Sequence, residues 1–513
     1  MNLTAIDRLG IKRLATDSRS VKPGATFVAY PGETQDGRRY IAQAIARGAA
    51  SVLWEKRGFQ WNPAWRLPNL GVTQLRARAG LIASHVHGNP SGRLWMIGVT
   101  GTNGKTTCSQ WIAQALSACG VRTAVIGTLG YGLRRTLRPL ANTTPDAVWL
   151  HAQLATFLRG GANAVSMEVS SIGLDQDRVA GVEFDAALFT NLTRDHLDYH
   201  HTMRGYRRAK ARLFECASLK HAIVNLDDAF GRDLAVRVRR RGLIVLGYGF
   251  ELSGFEQSGF EQSGFEQSGF EQSGFDHRAH GARRVPCVLG NNFSAGAGGM
   301  HFEVRTPWGR ATIESPLLGR HNASNLLGSL ATLLASDIKL KDAVATLGAL
   351  DAVPGRMQTI GGGRRPLVVV DYAHSPDALE QVLHALRELI GGTAARLVCV
   401  FGCGGTRDRG KRPLMGAVAA RLADRVVITS DNPRNEDPLR IIADIRKGVR
   451  GDCLIEPDRR RAIARALREA GRGDVVLIAG KGHETYQEIA GVRHVFSDAV
   501  VARAGLQRWT ARK

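Results

Sequence analysis

Gly98-Val-Thr-Gly101-Thr-Asn-Gly104-Lys105-Thr106-Thr107 follows the apolar run Leu94-Trp-Met-Ile-Gly-Val-Thr100 and leads into a long helix-like stretch from Thr106. A buried strand, a glycine-rich turn and a helix start in that order form a phosphate-binding loop. Glycines let the backbone wrap a phosphate with converging N–H groups, and the helix N-terminus adds positive potential. Lys105 is placed to neutralise the β- and γ-phosphates, and the Thr106 hydroxyl to ligate Mg²⁺. Gly101, Thr102, Asn103, Gly104 and Thr107 complete the candidate nucleotide cradle. The strict spacing of such loops would put a glycine at position 99, but Val99 stands there, flanked by Gly98 and Gly101.

Strand, turn and helix patterns alternate after this loop, which predicts a doubly wound parallel sheet for a central domain over residues 93–351. Before it, residues 1–92 read as a small α/β unit. Thr26-Phe-Val-Ala-Tyr30 is extended, Tyr40-Ile-Ala-Gln-Ala-Ile-Ala-Arg47 is helical and stopped by Gly48, and Asn89-Pro-Ser-Gly92 is a linker. A second boundary falls near Asp351-Ala-Val-Pro-Gly355. Residues 352–513 then read as a third, Rossmann-like α/β domain. Its strands are Leu367-Val-Val-Val-Asp371, Leu397-Val-Cys-Val-Phe401 and Val475-Val-Leu-Ile-Ala479, and each ends at polar residues. Ligands of open parallel sheets bind beyond those carboxyl ends. One segment stands apart: residues 250–275 read FELSG, then FEQSG four times, then F. A period of five is too short for a solenoid unit, so a disordered surface loop is expected.

The 513 residues suit two to four domains with ordinary apolar content, 44%. No apolar run is long enough to span a bilayer and the N-terminus has no apolar signal core, so a cytoplasmic protein without membrane insertion is expected. The seven cysteines form no Cys-x-x-Cys pair, which argues against a zinc ribbon or dithiol site. The net charge of +23 fits a polyanionic partner. That partner is either a nucleic acid or a diphosphate-bearing small molecule.

Three further clusters carry chemistry. Glu168 closes the run Ala162 to Met167, where a hard oxygen ligand at a strand's end suits Mg²⁺. Thr190-Asn-Leu-Thr-Arg-Asp-His196-Leu-Asp198-Tyr-His200 packs polar groups behind Ala186-Ala-Leu-Phe189. Arg207-Arg-Ala-Lys210-Ala-Arg-Leu-Phe214 reads as a helix on which Lys210 is one cation among many on a solvated face. Gly319-Arg-His-Asn322-Ala-Ser-Asn325 reads as a helix start with Asn as cap. In the third domain, Arg407 and Arg434 could clamp one carboxylate bidentately and Glu484 could receive an ammonium.

The loop Gly101 to Thr107 resembles that of the Mur ligase family, whose enzymes phosphorylate a carboxylate with ATP and let an amine displace the phosphate. The resemblance covers nearly the whole chain outside the pentapeptide tract. It implies two Mg²⁺ ions, held through Thr106, Glu168, His196 and Lys210, the lysine being carbamylated by CO₂. It implies catalytic roles for Lys105, Glu168, His196 and Lys210, and ATP contacts from Asn325, Arg356 and Asp371. It implies a UDP-binding first domain with Ser18 at the nucleotide. UDP-muramoyl-dipeptide contacts would come from Asn142, Thr143, Thr144, Ser170, Gln176 and Arg178. Ile172 departs from the family pattern, which often has His there. Arg407, Asp431-Asn432-Pro433-Arg434, Gly480 and Glu484 are similar to the amino-acid site of the diaminopimelate-adding branch. The implied protein is a monomer with small-molecule substrates only: ATP, the muramoyl dipeptide and meso-diaminopimelate. Two alternatives stay open, a lysine-adding ligase of the same family and a nucleic-acid-dependent NTPase.

Overall fold

A computed structural model describes residues 3–33, 35–133, 137–250, 285–296 and 298–510. The expected loop of FEQSG repeats lies outside the described residues. Three main sheets follow one another along the chain. The first has β1 (Leu14–Ala15), β2 (Thr26–Ala29), β3 (Ser51–Glu55) and β4 (Asn69–Val72), all parallel and in that order. The expected helix forms as Ile41–Ala46, and Gly48 ends its turn at φ +86°, with Pro23 too close for a side chain to be comfortable. Glu55, at the end of β3, accepts the backbone N–H groups of Gln74 at 3.2 Å and Leu75 at 2.7 Å. Its carboxylate thereby satisfies orphan donors at the start of the helix Leu75–Val86.

The central sheet has ten strands. These are β5 (Trp95–Thr100), β6 (Thr123–Gly127), β7 (Gly130–Gly132), β8 (Ala164–Glu168), β9 (Ala186–Phe189), β10 (His221–Asn225), β11 (Ile244–Gly249), β12 (Cys287–Gly296), β13 (Gly299–Thr306) and β14 (Gly309–Ser315). Their order is β14-β13-β12-β11-β10-β9-β5-β8-β6-β7. The sequence predicts a parallel sheet, and β12 through β6 are parallel. Both edges depart from it: the β12–β13 and β13–β14 pairings on one side and the β6–β7 pairing on the other are antiparallel. The reason is connection length. Two residues join β6 to β7, β12 to β13 and β13 to β14, enough for a hairpin but not for the crossover a parallel pair requires. Alternate residues face opposite cores. Met96, Val165, Met167, Ala187 and Phe189 pack on one face, whereas Ile97, Val99, Ala164, Ala186 and Leu188 pack against the helices Lys105–Ala118 and Arg320–Leu334 on the other.

The last sheet has β15 (Gln358–Gly361), β16 (Leu367–Asp371), β17 (Leu397–Phe401), β18 (Arg425–Ile428), β19 (Leu454–Ile455) and β20 (Val475–Ala479) in the order β15-β16-β20-β17-β18-β19. The three strands expected from sequence are β16, β20 and β17, side by side and parallel. A hairpin of β21 (Tyr486–Ile489) and β22 (Val492–Val495) follows. Among the described residues, no helix is long and apolar enough to cross a membrane.

Candidate active site

The loop between β5 and the helix Lys105–Ala118 is tight because two glycines make it so. A Cβ on Gly101 (φ +153°) would fall 1.8 Å from Thr190 Oγ1, and one on Gly104 (φ +83°) 2.4 Å from Asn325 Oδ1. Thr190 Oγ1 donates to the Asn103 carbonyl at 2.6 Å, Asn103 N donates to Asn191 Oδ1 at 2.9 Å, and Thr102 N donates to the Asn191 carbonyl at 2.8 Å. The segment after β9 thus braces the loop, and Asn325, on the buried helix behind, abuts it.

Two lysines converge on this loop. Lys105 Nζ donates to the carbonyls of Gly101 at 2.9 Å and Thr102 at 2.8 Å. Lys210 Nζ donates to the same Gly101 carbonyl at 2.6 Å and lies 4.5 Å from the centre of the Tyr206 ring. Burial lowers the proton affinity of Lys105, partly offset by Glu168 and Asp195. Burial, reinforced by the Lys105 charge, holds Lys210 well below the usual lysine range. A solvated face is therefore the wrong description of Lys210, which is 1% exposed. The helix Met203–Ala211 buries Tyr206, Ala209, Lys210 and Ala211 together, a stripe that the surrounding arginines mask in the sequence.

Glu168 ends β8, the neighbour of β5, and is fully buried. Its carboxylate accepts from Thr106 Oγ1 at 2.9 Å, Thr128 Oγ1 at 3.0 Å and Thr128 N at 2.7 Å. Arg356, from the third unit, donates to Thr106 Oγ1 at 3.1 Å. His196 has φ +52° and places Nε2 3.5 Å from Asp195 Oδ2. Burial lowers its proton affinity against the pull of Asp195, which favours the neutral imidazole that ligates metals. Asp195 also faces His374 Nε2 at 3.8 Å. Burial pulls Asp195 upward, but His196, His374 and Lys411 outweigh it and bring the carboxyl to about 2. Asn103 Nδ2 reaches Asp377 Oδ2 at 3.1 Å, a third tie between the loop region and the last unit. Among the described residues, no three His, Cys, Asp or Glu side chains form a metal cage.

Asp371 accepts Met357 N and Ala373 N, both at 2.7 Å, and burial raises its carboxyl. Both of its oxygens are thus committed to backbone that carries Arg356 and His374. The expected Asn cap of the helix Arg320–Leu334 is displaced. Gly319 is the N-cap, at φ +89° and crowded by His321 and Ala385, while Asn322 Nδ2 donates to the Leu318 carbonyl.

A polar ridge extends from Glu168. Thr144 Oγ1 donates to the Glu168 carbonyl and accepts Ser170 N, and Ser170 caps the helix Ser171–Asp175. Thr143 Oγ1 lies 3.0 Å from Thr128 Oγ1, and Asn142 beside it is exposed. Arg178 donates to the Thr144 carbonyl at 2.8 Å and to Gln176 Oε1 at 2.7 Å. His200, given no role by the sequence, lies 2.9 Å from Ser171 Oγ, beside half-buried Ile172. Ser18 stands apart from this ridge, donating to Gln43 Oε1 at 2.7 Å within the first unit.

The third cluster lies beyond the ends of β17, β18 and β20. Arg407 and Arg434 meet around Gly404, where a Cβ would lie 3.0 Å from Arg434 Nη1 and 3.8 Å from Arg407 Cγ. Arg434 has φ +51° and donates to the Gly405 carbonyl at 2.7 Å. A Cβ on Gly405 would strike the Pro433 carbonyl, and one on Gly480 would strike Asp431 Oδ2. Asn432 Nδ2 donates to Glu484 Oε2 at 2.8 Å. Three buried or half-buried ion pairs that the sequence did not reveal hold this cluster: Lys481–Glu484, Arg412–Glu436 and Arg459–Asp498.

Relatives and solved structures match this chain over most of its length. The chain matches family models described as Mur ligase family, catalytic domain over residues 10–87, Mur ligase middle domain over residues 99–333 and Mur ligase, glutamate ligase domain over residues 355–482. It is 48% identical over 503 residues to a UDP-N-acetylmuramoyl-L-alanyl-D-glutamate–2,6-diaminopimelate ligase of Nitrosomonas europaea, covering 96% of this chain and 92% of the relative. A protein of the same name from Pseudomonas aeruginosa is 48% identical, covering 97% of this chain and 96% of the relative. A solved structure of an enzyme of that name superposes with a TM-score of 0.66 at 37% identity, over 97% of this chain and 95% of that one. A folylpolyglutamate synthase of Mycobacterium tuberculosis shares the fold at 18% identity, with a TM-score of 0.60 over 79% of this chain and 92% of that one. With all three consecutive α/β units matched by its models and relatives alike over nearly the whole chain, this chain belongs to the Mur ligase family.

Proposed function

We propose that this chain is the ATP-dependent ligase that joins meso-diaminopimelate to the D-Glu side-chain carboxylate of UDP-N-acetylmuramoyl-L-Ala-D-Glu, a step of peptidoglycan synthesis. The observation that carries it is the meeting at Thr106. There the phosphate loop, the Glu168 carboxylate and Arg356 of the last unit converge on one hydroxyl. Such a junction lets a bound triphosphate draw the nucleotide loop and the amino-acid-bearing unit together.

In this reading residues 1–92 bind the UDP moiety through Ser18, residues 93–351 hold ATP and the dipeptide, and residues 352–513 receive the amino acid. Gly101 to Thr107, Asn325 and Arg356 surround the nucleotide, while Asp371 acts by fixing the backbone around Arg356. Asn142, Thr143, Thr144, Ser170, Gln176 and Arg178 line the path of the muramoyl dipeptide. The donor set fits magnesium. Glu168 and Thr106 offer hard oxygens for one ion, and His196 and a carbamate on Lys210 offer a second site. A buried, neutral Lys210 amine is the form that adds CO₂, releasing one proton and becoming an anion. Two Mg²⁺, when bound, would supply charge neutralisation for the triphosphate.

The residues then act by positioning and electrostatics. Lys105 leaves its loop carbonyls for the β- and γ-phosphates. The D-Glu carboxylate attacks the γ-phosphorus, ADP departs and an acyl phosphate forms. The neutral amine of diaminopimelate attacks the carbonyl carbon, losing a proton as phosphate leaves. The contacts of Arg356, His374 and Asp377 with the central unit exclude water while the acyl phosphate exists. Arg407 and Arg434 take the distal carboxylate and Glu484 the distal ammonium, with Asp431, Asn432, Pro433 and Gly480 shaping the pocket. We propose a cytoplasmic monomer, which sedimentation would check. Phosphate release measured with the dipeptide, with and without diaminopimelate, tests the activity. Release should require both, and ATP consumption indifferent to either would overturn it. Lysine in place of diaminopimelate should support little release.

A further inference from the structure

Gly480-Lys-Gly-His-Glu484 supplies two pocket residues and leaves its lysine without a role. Lys481 is fully buried. Its Nζ donates to Glu484 Oε2 at 2.6 Å and to Asn432 Oδ1 at 3.0 Å. Asn432 Oδ1 also accepts Glu488 N at 2.9 Å. With two donors on its oxygen, the amide can face Glu484 only through Nδ2. The next links run along the hairpin. The Glu488 carbonyl accepts Arg434 N at 3.0 Å and the Arg434 carbonyl accepts Ala490 N at 2.7 Å, pinning Arg434 in its left-handed conformation. One ammonium therefore ties the Asp431–Arg434 segment, the Gly480–Glu484 segment and β21 together.

Charge adds a second reason. Around the pocket floor stand three carboxylates, Asp431, Glu484 and Asp498, and two cations, Lys481 and Arg459, of which Arg459 is paired with Asp498. Both internal donors to Glu484 fall on Oε2, so Oε1 remains for the substrate ammonium. Without Lys481, Glu484 would lose the cation it is paired with. Of its two donors Glu484 would then keep only Asn432 Nδ2, and its aim at the substrate ammonium would loosen.

The geometry points to Lys481 as a positioning residue that sets selectivity for the distal ammonium of the incoming amino acid, an inference that rests on the diaminopimelate reading above. It touches no substrate and acts through Glu484, Asn432 and Arg434. The test compares amide formation with meso-diaminopimelate and with 2-aminopimelate, which keeps the distal carboxylate but lacks the distal ammonium. The unmodified enzyme should prefer diaminopimelate in kcat/KM. In Lys481→Met that preference should fall by about tenfold or more, with KM for ATP and for the dipeptide within about threefold. An unchanged preference in folded Lys481→Met overturns the inference, as does a common rise in all three KM values, which marks a general structural role. Should Lys481→Met not accumulate as folded protein, Lys481→Gln, which keeps one donor but no charge, is held to the same two outcomes. If the unmodified enzyme shows no dependence on diaminopimelate, the functional reading itself fails, which is a separate result.

Discussion

The two buried lysine sites of this molecule are built on opposite terms. At the phosphate loop, Lys105 and Lys210 lean on backbone carbonyls, and both share Gly101 O. Among the described residues neither makes an ion pair, and burial depresses both. In the last unit, Lys481, Arg412 and Arg459 are as buried as Lys210, yet each is paired with a carboxylate. The first arrangement is an unmet demand for negative charge. The second is closed upon itself, and its cations serve as struts. A lysine held away from solvent thus has two uses here: without a carboxylate it stays open to a phosphate or to modification, and paired with one it fixes the shape of a pocket.

The comparison breaks most sharply at Lys105. Lys105→Ala should lower kcat by about a thousandfold or more, since its charge is spent on a transferring phosphoryl group. Near-normal turnover would show that the loop does not bind the reacting phosphates. Next comes Lys210→Ala, expected to cost about a hundredfold. Part of that loss should return when formate or acetate is added, because a small anion can refill the carbamate's place. Indifference to added carboxylates would count against a carbamate. Arg434→Ala should have a smaller, more selective effect. Its KM for diaminopimelate should rise by about tenfold or more, the loss of a charge-assisted pair, with KM for ATP nearly unchanged. Equal rises in both would move Arg434 from pocket wall to general framework.

Most of the frame was legible because it depends on local patterns. Strands β16, β17 and β20 declare themselves as five-residue apolar runs, and Gly101 and Gly104 sit where a Cβ would collide. The sheet edges were less legible, since direction depends on connection length and not on the strand's own composition. Lys210 was misjudged from its neighbours. Among Arg207, Arg208 and Arg212 it reads as solvated, and only tertiary packing against Tyr206 and Gly101 shows otherwise. Lys481 stands between two glycines in Gly480-Lys-Gly-His-Glu484, and its burial follows from the packing of that segment against Asn432, not from any local pattern. Arg459 and Asp498 lie far apart in sequence and meet only because the helices Arg459–Glu469 and Asp498–Gln507 pack together. Long-range ion pairs of this kind leave no periodic trace.

The smallest effect separates the two sites without any substrate. In nucleotide-free protein at neutral pH and low bicarbonate, Lys210→Met should raise the unfolding free energy by about 1 kcal/mol. The substitution removes a buried amine with no carboxylate partner and keeps an unbranched stem, and the Gly101 carbonyl retains Lys105 as a donor. Lys481→Met should do the reverse, since it leaves Glu484 and the Asn432 oxygen without their shared donor, a loss of about 3 kcal/mol for a broken buried pair. Chemical denaturation of the two variants reads the difference directly. Opposite signs would mean that the phosphate loop holds strain for function while the pocket floor holds none. If both substitutions destabilised alike, Lys210 would be a strut too, and the distinction between an amine left open and a cation that braces would be lost.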